Sequence, residues 1–280
     1  MSTFDTSNPI SATLVIVAGD VRISSGDDAT TTVTVEPTDA SNAEDRQAAE
    51  GTRVEYADGR LLVKQPRSWR PRSKGGSIDV TIALPAGSHV NADAAMADFT
   101  VDGPLGEARF KTGLGSIQLG EVATLKARAG LGDVVVEHVT GDADVTTGSG
   151  ELRLRAVDGG AVVKNSNGDS WVGTVAGDLR VRAANGSIAI DAAHGSVVAK
   201  SANGDVRLGE AVRNTVVLET KLGDLEVGIP EGTAAWLDVR AGAGRVRNAL
   251  DAADSPGPSA ETVEVRARTT AGDVVIGRPS

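Results

Sequence analysis

Three segments decide the fold: N-S-N-G-D-S-W-V from Asn165 to Val172, A-A-N-G-S-I-A-I from Ala183 to Ile190, and S-A-N-G-D-V-R-L from Ser201 to Leu208. They begin at positions 165, 183 and 201, an even step. They belong to a longer series of glycines at 132, 141, 150, 159, 168, 177, 186, 195 and 204, each nine residues after the last. A fixed period is the mark of a repeat architecture. Alternate glycines share more neighbours than adjacent ones, so the nine-residue step is half of an 18-residue coil. Apolar residues alternate between the glycines, as half-buried strands require. Leu179, Val181 and Ala183 face inward from one wall, Asn185-Gly186 turns the chain, and Ile188 and Ile190 face inward from the other. Glycine supplies the unusual backbone angles of such a turn, and asparagine tolerates them better than most residues. Asn167, Asn185 and Asn203 recur at the coil spacing and are expected to stack as a ladder. The fold predicted is all-β, a two-sided β-solenoid of 18-residue coils.

The repeat extends back through Gly132-Asp133-Val134 to Gly115-Ser116-Ile117. It extends forward, with longer steps, through Gly223-Asp224-Leu225, Gly244-Arg245-Val246 and Gly272-Asp273-Val274. The longer steps hold insertions, of which Asp251–Ala260 (DAADSPGPSA) reads as a Pro/Gly-rich loop. Residues 1–110 are strand-rich but less regular and are expected to cap the solenoid of residues 111–280, the two making one elongated domain. Within them Ile10–Ile23, Thr30–Glu36, Thr52–Gln65 and Ser77–Leu84 read as hairpin-forming strands. Ser41 reads as the cap of a short helix over Asn42–Ala49.

Composition narrows the function classes. Aromatics make up 2% of the 280 residues while glycine occurs 34 times, so the core must be built in thin layers of Val, Ile, Leu and Ala. There is no cysteine, which excludes disulfides and thiolate metal sites. The N-terminus lacks the basic and apolar regions of a secretory signal, and no apolar stretch is long enough to span a bilayer. A cytoplasmic location is the expectation. The net charge of −10 argues against general nucleic-acid binding, and no sequence-specific nucleic-acid contact is expected.

The repeated G-D/S-[VIL]-x-[VIL] units occur together with I-A-L-P-A-G-S-H-V at Ile82–Val90 and V-G-I-P-E-G-T-A-A at Val227–Ala235. With these the chain resembles the bacterial "putative adhesin" β-strand-repeat family of unknown function, over nearly its whole length. The resemblance implies a β-strand repeat fold, an association with the cell envelope or its stress response, and no catalytic motif. Alanine and glycine abundance, with 21 Arg to 7 Lys, points to a high-GC bacterium such as an actinomycete.

Residues that could carry chemistry are few and scattered. His89, His138 and His194 share no spacing and fall on different columns, so they form no metal site. Asp133, Glu151, Asp169, Asp205 and Asp224 follow alternate glycines, and Asp142 and Asp178 follow the others. Calcium-binding β-rolls use such periods but need G-G-x-G-x-D, which is absent. No P-loop, H-E-x-x-H or G-x-S-x-G occurs, so no catalytic residue, metal or cofactor is assigned. A carbohydrate-active or metal-dependent β-helix enzyme is the alternative, and would need a groove of clustered acids and aromatics.

The outward columns carry the positive expectation. Four residues before alternate glycines stand Lys111, Arg128, Thr146, Lys164, Arg182 and Lys200; six before stand Arg109, Lys126, Asp144, Val162, Arg180 and Val198. Adjacent strands lie about 4.8 Å apart, so eight cations (Arg109, Lys111, Lys126, Arg128, Lys164, Arg180, Arg182 and Lys200) are placed as a basic stripe. The expected role is a non-catalytic interaction scaffold docking a protein, an anionic polymer or an anionic surface. Trp171 is placed on the opposite outer sheet with Arg153, Ala189 and Arg207, either as a contact or packed over Ala189 and an arginine. Lys64–Lys74 (KQPRSWRPRSK) reads as a loop with five cations. The strand edges at the solenoid ends are candidates for self-association.

Overall fold

The turn at Asn185-Gly186 shows how the sequence builds a coil. Gly186 has φ +129°, a backbone region that disfavours side chains, and a Cβ there would stand 2.1 Å from the carbonyl oxygen of Gly168 in the neighbouring coil. The alternate glycines at 115, 132, 150, 168, 204 and 223 share this positive φ. Gly159, Gly177 and Gly195, midway between them, are outside that region and are required instead by close approach of stacked backbones. The nine-residue step therefore contains two glycine classes, one for each turn of a two-sided coil.

The computed structural model describes residues 1–66, 76–250 and 261–279. Arg67–Lys74 of the cationic segment and the Asp251–Ala260 loop lie outside the described residues. The chain divides into two compact units, Met1–Thr140 and Gly141–Ser280. Among the described residues there are 23 strands and one helix.

The first unit contains β1 (Ser2–Asp5), β2 (Ser11–Gly26), β3 (Thr30–Pro37), α1 (Ala43–Gly51), β4 (Arg53–Ala57), β5 (Arg60–Lys64), β6 (Ile78–Pro85), β7 (His89–Leu114), β8 (Ile117–Leu131) and β9 (Val134–Val139). Of the expected hairpin strands, Thr52–Gln65 is one: β4 and β5 pair antiparallel. Ile10–Ile23 is not. It belongs to β2, a whole coil in itself, whose first half pairs parallel with β5 and second half with β6, while its other edge pairs with β7. Its long alternation of apolar and polar residues fits both walls, and only the bend near Gly19 (φ +140°) divides them. β4 covers the free edge of β5, β3 covers β6, and β1 covers β3, all antiparallel. Helix α1 is capped by Asn42, whose side chain accepts from the Glu44 N–H at 2.8 Å; Ser41 instead bonds Asp39. A bulge between Val101 and Pro104 shortens the β7–β8 register by one position, from Phe99↔Ile117 to Arg109↔Lys126. Phe99 and Phe110 fill this core edge-to-face at 5.3 Å.

The second unit is the regular stack. One wall holds β10 (Ala143–Ser149), β12 (Ala161–Asn167), β14 (Leu179–Asn185), β16 (Val197–Lys200) and β18 (Asn214–Leu222). The other holds β11 (Leu152–Val157), β13 (Ser170–Val175), β15 (Ile188–Ala193), β17 (Val206–Ala211) and β19 (Leu225–Gly228). Each strand pairs parallel with its equivalent one coil on, such as Val163↔Val181 and Val172↔Ile190. The end of the stack is threaded out of order. Strands β22 (Glu261–Ala271) and β23 (Val274–Gly277) pair directly with β18 and β19, and the earlier β20 (Thr233–Ala243) and β21 (Val246–Asn248) pair outside them. The interior is aliphatic: Leu179, Val181, Ile188, Ile190, Val206 and Leu208 are all buried. Burying each such side chain is worth about 1.5–3 kcal/mol, and every coil shares that burial with its neighbours.

Candidate anion-docking surface

Three acids of the column after the alternate glycines, Asp169, Asp205 and Asp224, tie successive coils together, while Glu151 pairs with Arg153. Asp169 accepts the backbone N–H of Ser187 at 2.7 Å, Asp205 that of Asp224 at 2.8 Å, and Asp224 that of Asp273 at 2.7 Å. Asp98 does the same for Ser116, and on the opposite turns Asp142 and Asp178 accept from Gly160 and Ser196. Each carboxylate thus holds the next coil at its own position. Asn185 donates to Asn167 at 2.9 Å, and Asn203 continues the row through a backbone bridge to Asn185.

The register places the cations. In the first unit Arg109 lies beside Lys126, and Lys111 beside Arg128. Lys111, Arg109 and Arg128 are all exposed, and Lys111 is ion-paired with Asp93 at 3.3 Å. In the second unit Lys164, Arg182 and Lys200 stand side by side, with Arg180 between Val162 and Val198. Lys200 binds Glu219 at 2.7 Å. Lys164, Arg180 and Arg182 are exposed, and among the described residues none makes an ion pair. They form a cationic triangle on one outer face.

That face carries three further arginines that the sequence reading missed. Through β18, β22 and β20 the column of Lys200 continues as Glu219, Arg268 and Arg240, and the column of Val198 as Val217, Arg266 and Asp238. V-R-A-R at Val265–Arg268 repeats L-R-V-R at Leu179–Arg182, which was a readable signal. Its place was hidden by the out-of-order threading. These arginines are matched locally: Arg266 with Glu264 at 2.6 Å, Arg268 with Asp238 at 3.0 Å and Arg240 with the same Asp238 at 3.4 Å. The Arg268 hydrogen bond holds the Asp238 carboxyl below its ordinary range.

Trp171 lies in register with Arg153, Ala189 and Arg207, as its column predicts. Its indole N–H donates to Asp191 at 3.1 Å, while Arg153 turns to Glu151 and Arg207 to Glu226. The Trp lines one side of an open groove of about 630 Å³ that also includes Asp191, Glu210, Glu226 and Arg278. The histidines are dispersed: His89 accepts from the Glu107 N–H at 2.8 Å, and His138 lies 4.0 Å from Glu121. Among the described residues no three His, Asp or Glu side chains converge as a metal site. No helix among them is long and apolar enough to cross a membrane.

The Toastrack DUF4097 family model matches residues 12–277. The chain belongs to the Toastrack family. Three solved structures are similar to this Toastrack chain at low identity, each described as a "putative adhesin". That from Bacteroides fragilis is 12% identical, covers 98% of this chain and 95% of its own, and has a TM-score of 0.40. That from Parabacteroides distasonis is 14% identical with the same coverage and a TM-score of 0.44. That from Parabacteroides merdae is 13% identical over 99% and 95%, with a TM-score of 0.36. The comparison with curated proteins gives no match.

Proposed function

We propose that this Toastrack protein is a non-catalytic scaffold that docks a polyanion or an anionic surface through the outer wall of β12 and β14. The carrying observation is the triangle of Lys164, Arg180 and Arg182, exposed and without a carboxylate partner among the described residues. Three like charges on strands about 4.8 Å apart repel one another, and an anionic ligand relieves that cost. Asp169, Asp205 and Asp224 are occupied as backbone acceptors at the turns, and in the Trp171 groove Asp191 accepts from the indole and Glu226 pairs with Arg207, which supports the non-catalytic reading. The cell envelope, which the family resemblance implies, is rich in such anions.

Binding to inorganic polyphosphate and to vesicles of phosphatidylglycerol tests this. Affinity should fall steeply as salt rises, since screening and counterion release govern such contacts. The triple variant Lys164→Glu, Arg180→Glu, Arg182→Glu should lose binding to both probes while keeping its circular dichroism spectrum. Unchanged binding by that variant would sink the proposal.

A further inference from the structure

The two units treat their edges differently. In the first unit, antiparallel β4 and β3 cover the outermost parallel strands. In the second, β20 is paired with β22 alone among the described residues, so one edge carries unpaired backbone groups. The side chains show the same incompleteness. Val265 and Ala267 are 0% exposed, but their register partners Leu237 and Val239 on β20 are only half-buried. Trp236 is 60% exposed and Val246 49%. A long apolar edge of this kind invites another strand.

The sequence of β20 says which strand. In T-A-A-W-L-D-V-R-A-G-A, Leu237 and Val239 face the interior, while Trp236, Asp238, Arg240 and Gly242 face outward. Antiparallel pairing with a second copy about a two-fold axis at Val239 sets Asp238 opposite Arg240 twice. It also sets Leu237 opposite Ala241, and Trp236 opposite Gly242, where the missing side chain leaves room for the indole. An axis at Asp238 would oppose two carboxylates, and one at Arg240 two guanidiniums. Only the Val239 register matches charge and size together, and a two-fold interface requires such self-complementarity. We infer that the protein forms a two-fold dimer in which β20 pairs antiparallel with β20 of a second copy, centred on Val239.

Charge exchange tests this directly. By light scattering the full chain should have twice its 28.5 kDa mass. Arg240→Asp sets acid against acid, and Asp238→Arg sets cation against cation, so each variant alone should run at 28.5 kDa. An equimolar mixture of the two restores both opposite-charge pairs and should return to the doubled mass, which also shows that both variants fold. A monomeric wild type, a dimer that survives either substitution, or a mixture that stays monomeric would each overturn the inference. Because Asp238 ionises below the ordinary carboxylate range, the dimer should persist into mildly acidic solution and weaken only as pH falls through that depressed value.

Discussion

In one column of turns, Gly186 and, one coil on, Asp205 carry different burdens. Gly186 combines φ +129° with a carbonyl oxygen 2.1 Å from where a Cβ would sit. Gly186→Ala must strain the backbone at a cost of about 1–3 kcal/mol and push the Gly168 carbonyl aside as well. Chemical denaturation should show a midpoint well below wild type. Asp205 supplies an exposed acceptor to the Asp224 N–H, comparable to a helix N-cap. Asp205→Ala should cost about 1 kcal/mol, and Asp205→Asn, which keeps an acceptor oxygen, clearly less. Equal losses for the two would show that the carboxylate charge, not the acceptor, matters. The glycine period was legible because a missing side chain is a property of the residue itself, whatever the neighbouring coil that requires it. The purpose of the aspartates was not, because the N–H each one holds belongs to another coil.

At the scale of a coil, the position three residues before the turn glycine is polar and buried in several coils. Asn165, Ser201, Thr220 and Thr269 are buried there, and each donates to the carbonyl of a turn glycine in the adjacent coil: Gly150, Gly186, Gly204 and Gly223 respectively. A buried carbonyl needs such a donor. Periodicity presented these positions as ordinary inward residues, and it does not distinguish a valine from a threonine whose hydroxyl is committed. Thr220→Val keeps the shape and deletes the donor, so stability should fall by about 1–2 kcal/mol. Asn165 differs from its equivalents because its Oδ1 is buried without a hydrogen-bond partner. Asn165→Thr can keep the bond to Gly150 and removes that orphan, so stability should be unchanged or raised by up to about 1 kcal/mol. A loss comparable to that of Thr220→Val would mean that the two further amide bonds of Asn165, to Gly168 and Asp169, outweigh the orphan.

Across each unit, threading governs what depends on what. The linear order of glycines suggested coils added one after another, and for residues 143–228 that is the order observed. It fails where strand pairing skips along the chain. β2 sits between β5–β6 and β7 in the first unit, and β22–β23 between β18–β19 and β20–β21 in the second. Hydrophobic alternation specifies that a segment is a strand and which face is buried, but not which neighbour it chooses. For the same reason Arg266, Arg268 and Arg240 were placed on the cationic face only by the structure. The threading has a measurable consequence. In a chain ending at Leu250, β20 and β21 lose the strands that hold them, although they precede the cut. Hydrogen exchange should then show residues 233–248 losing protection while residues 143–228 keep theirs, with β18 as the new edge. Retained protection at 233–248 would mean that β20 can dock on β18 directly, in the place of β22. The side chains argue against that substitution. β18 meets β22 with Val216 against Val265 and Leu218 against Ala267, all buried. In the register that β20 keeps with β22, Leu237 and Val239 would take those places, setting the larger Val239 where Ala267 meets Leu218. Overfilling of that kind costs about 1–3 kcal/mol, enough to leave the shortened chain with a frayed rather than a re-docked end.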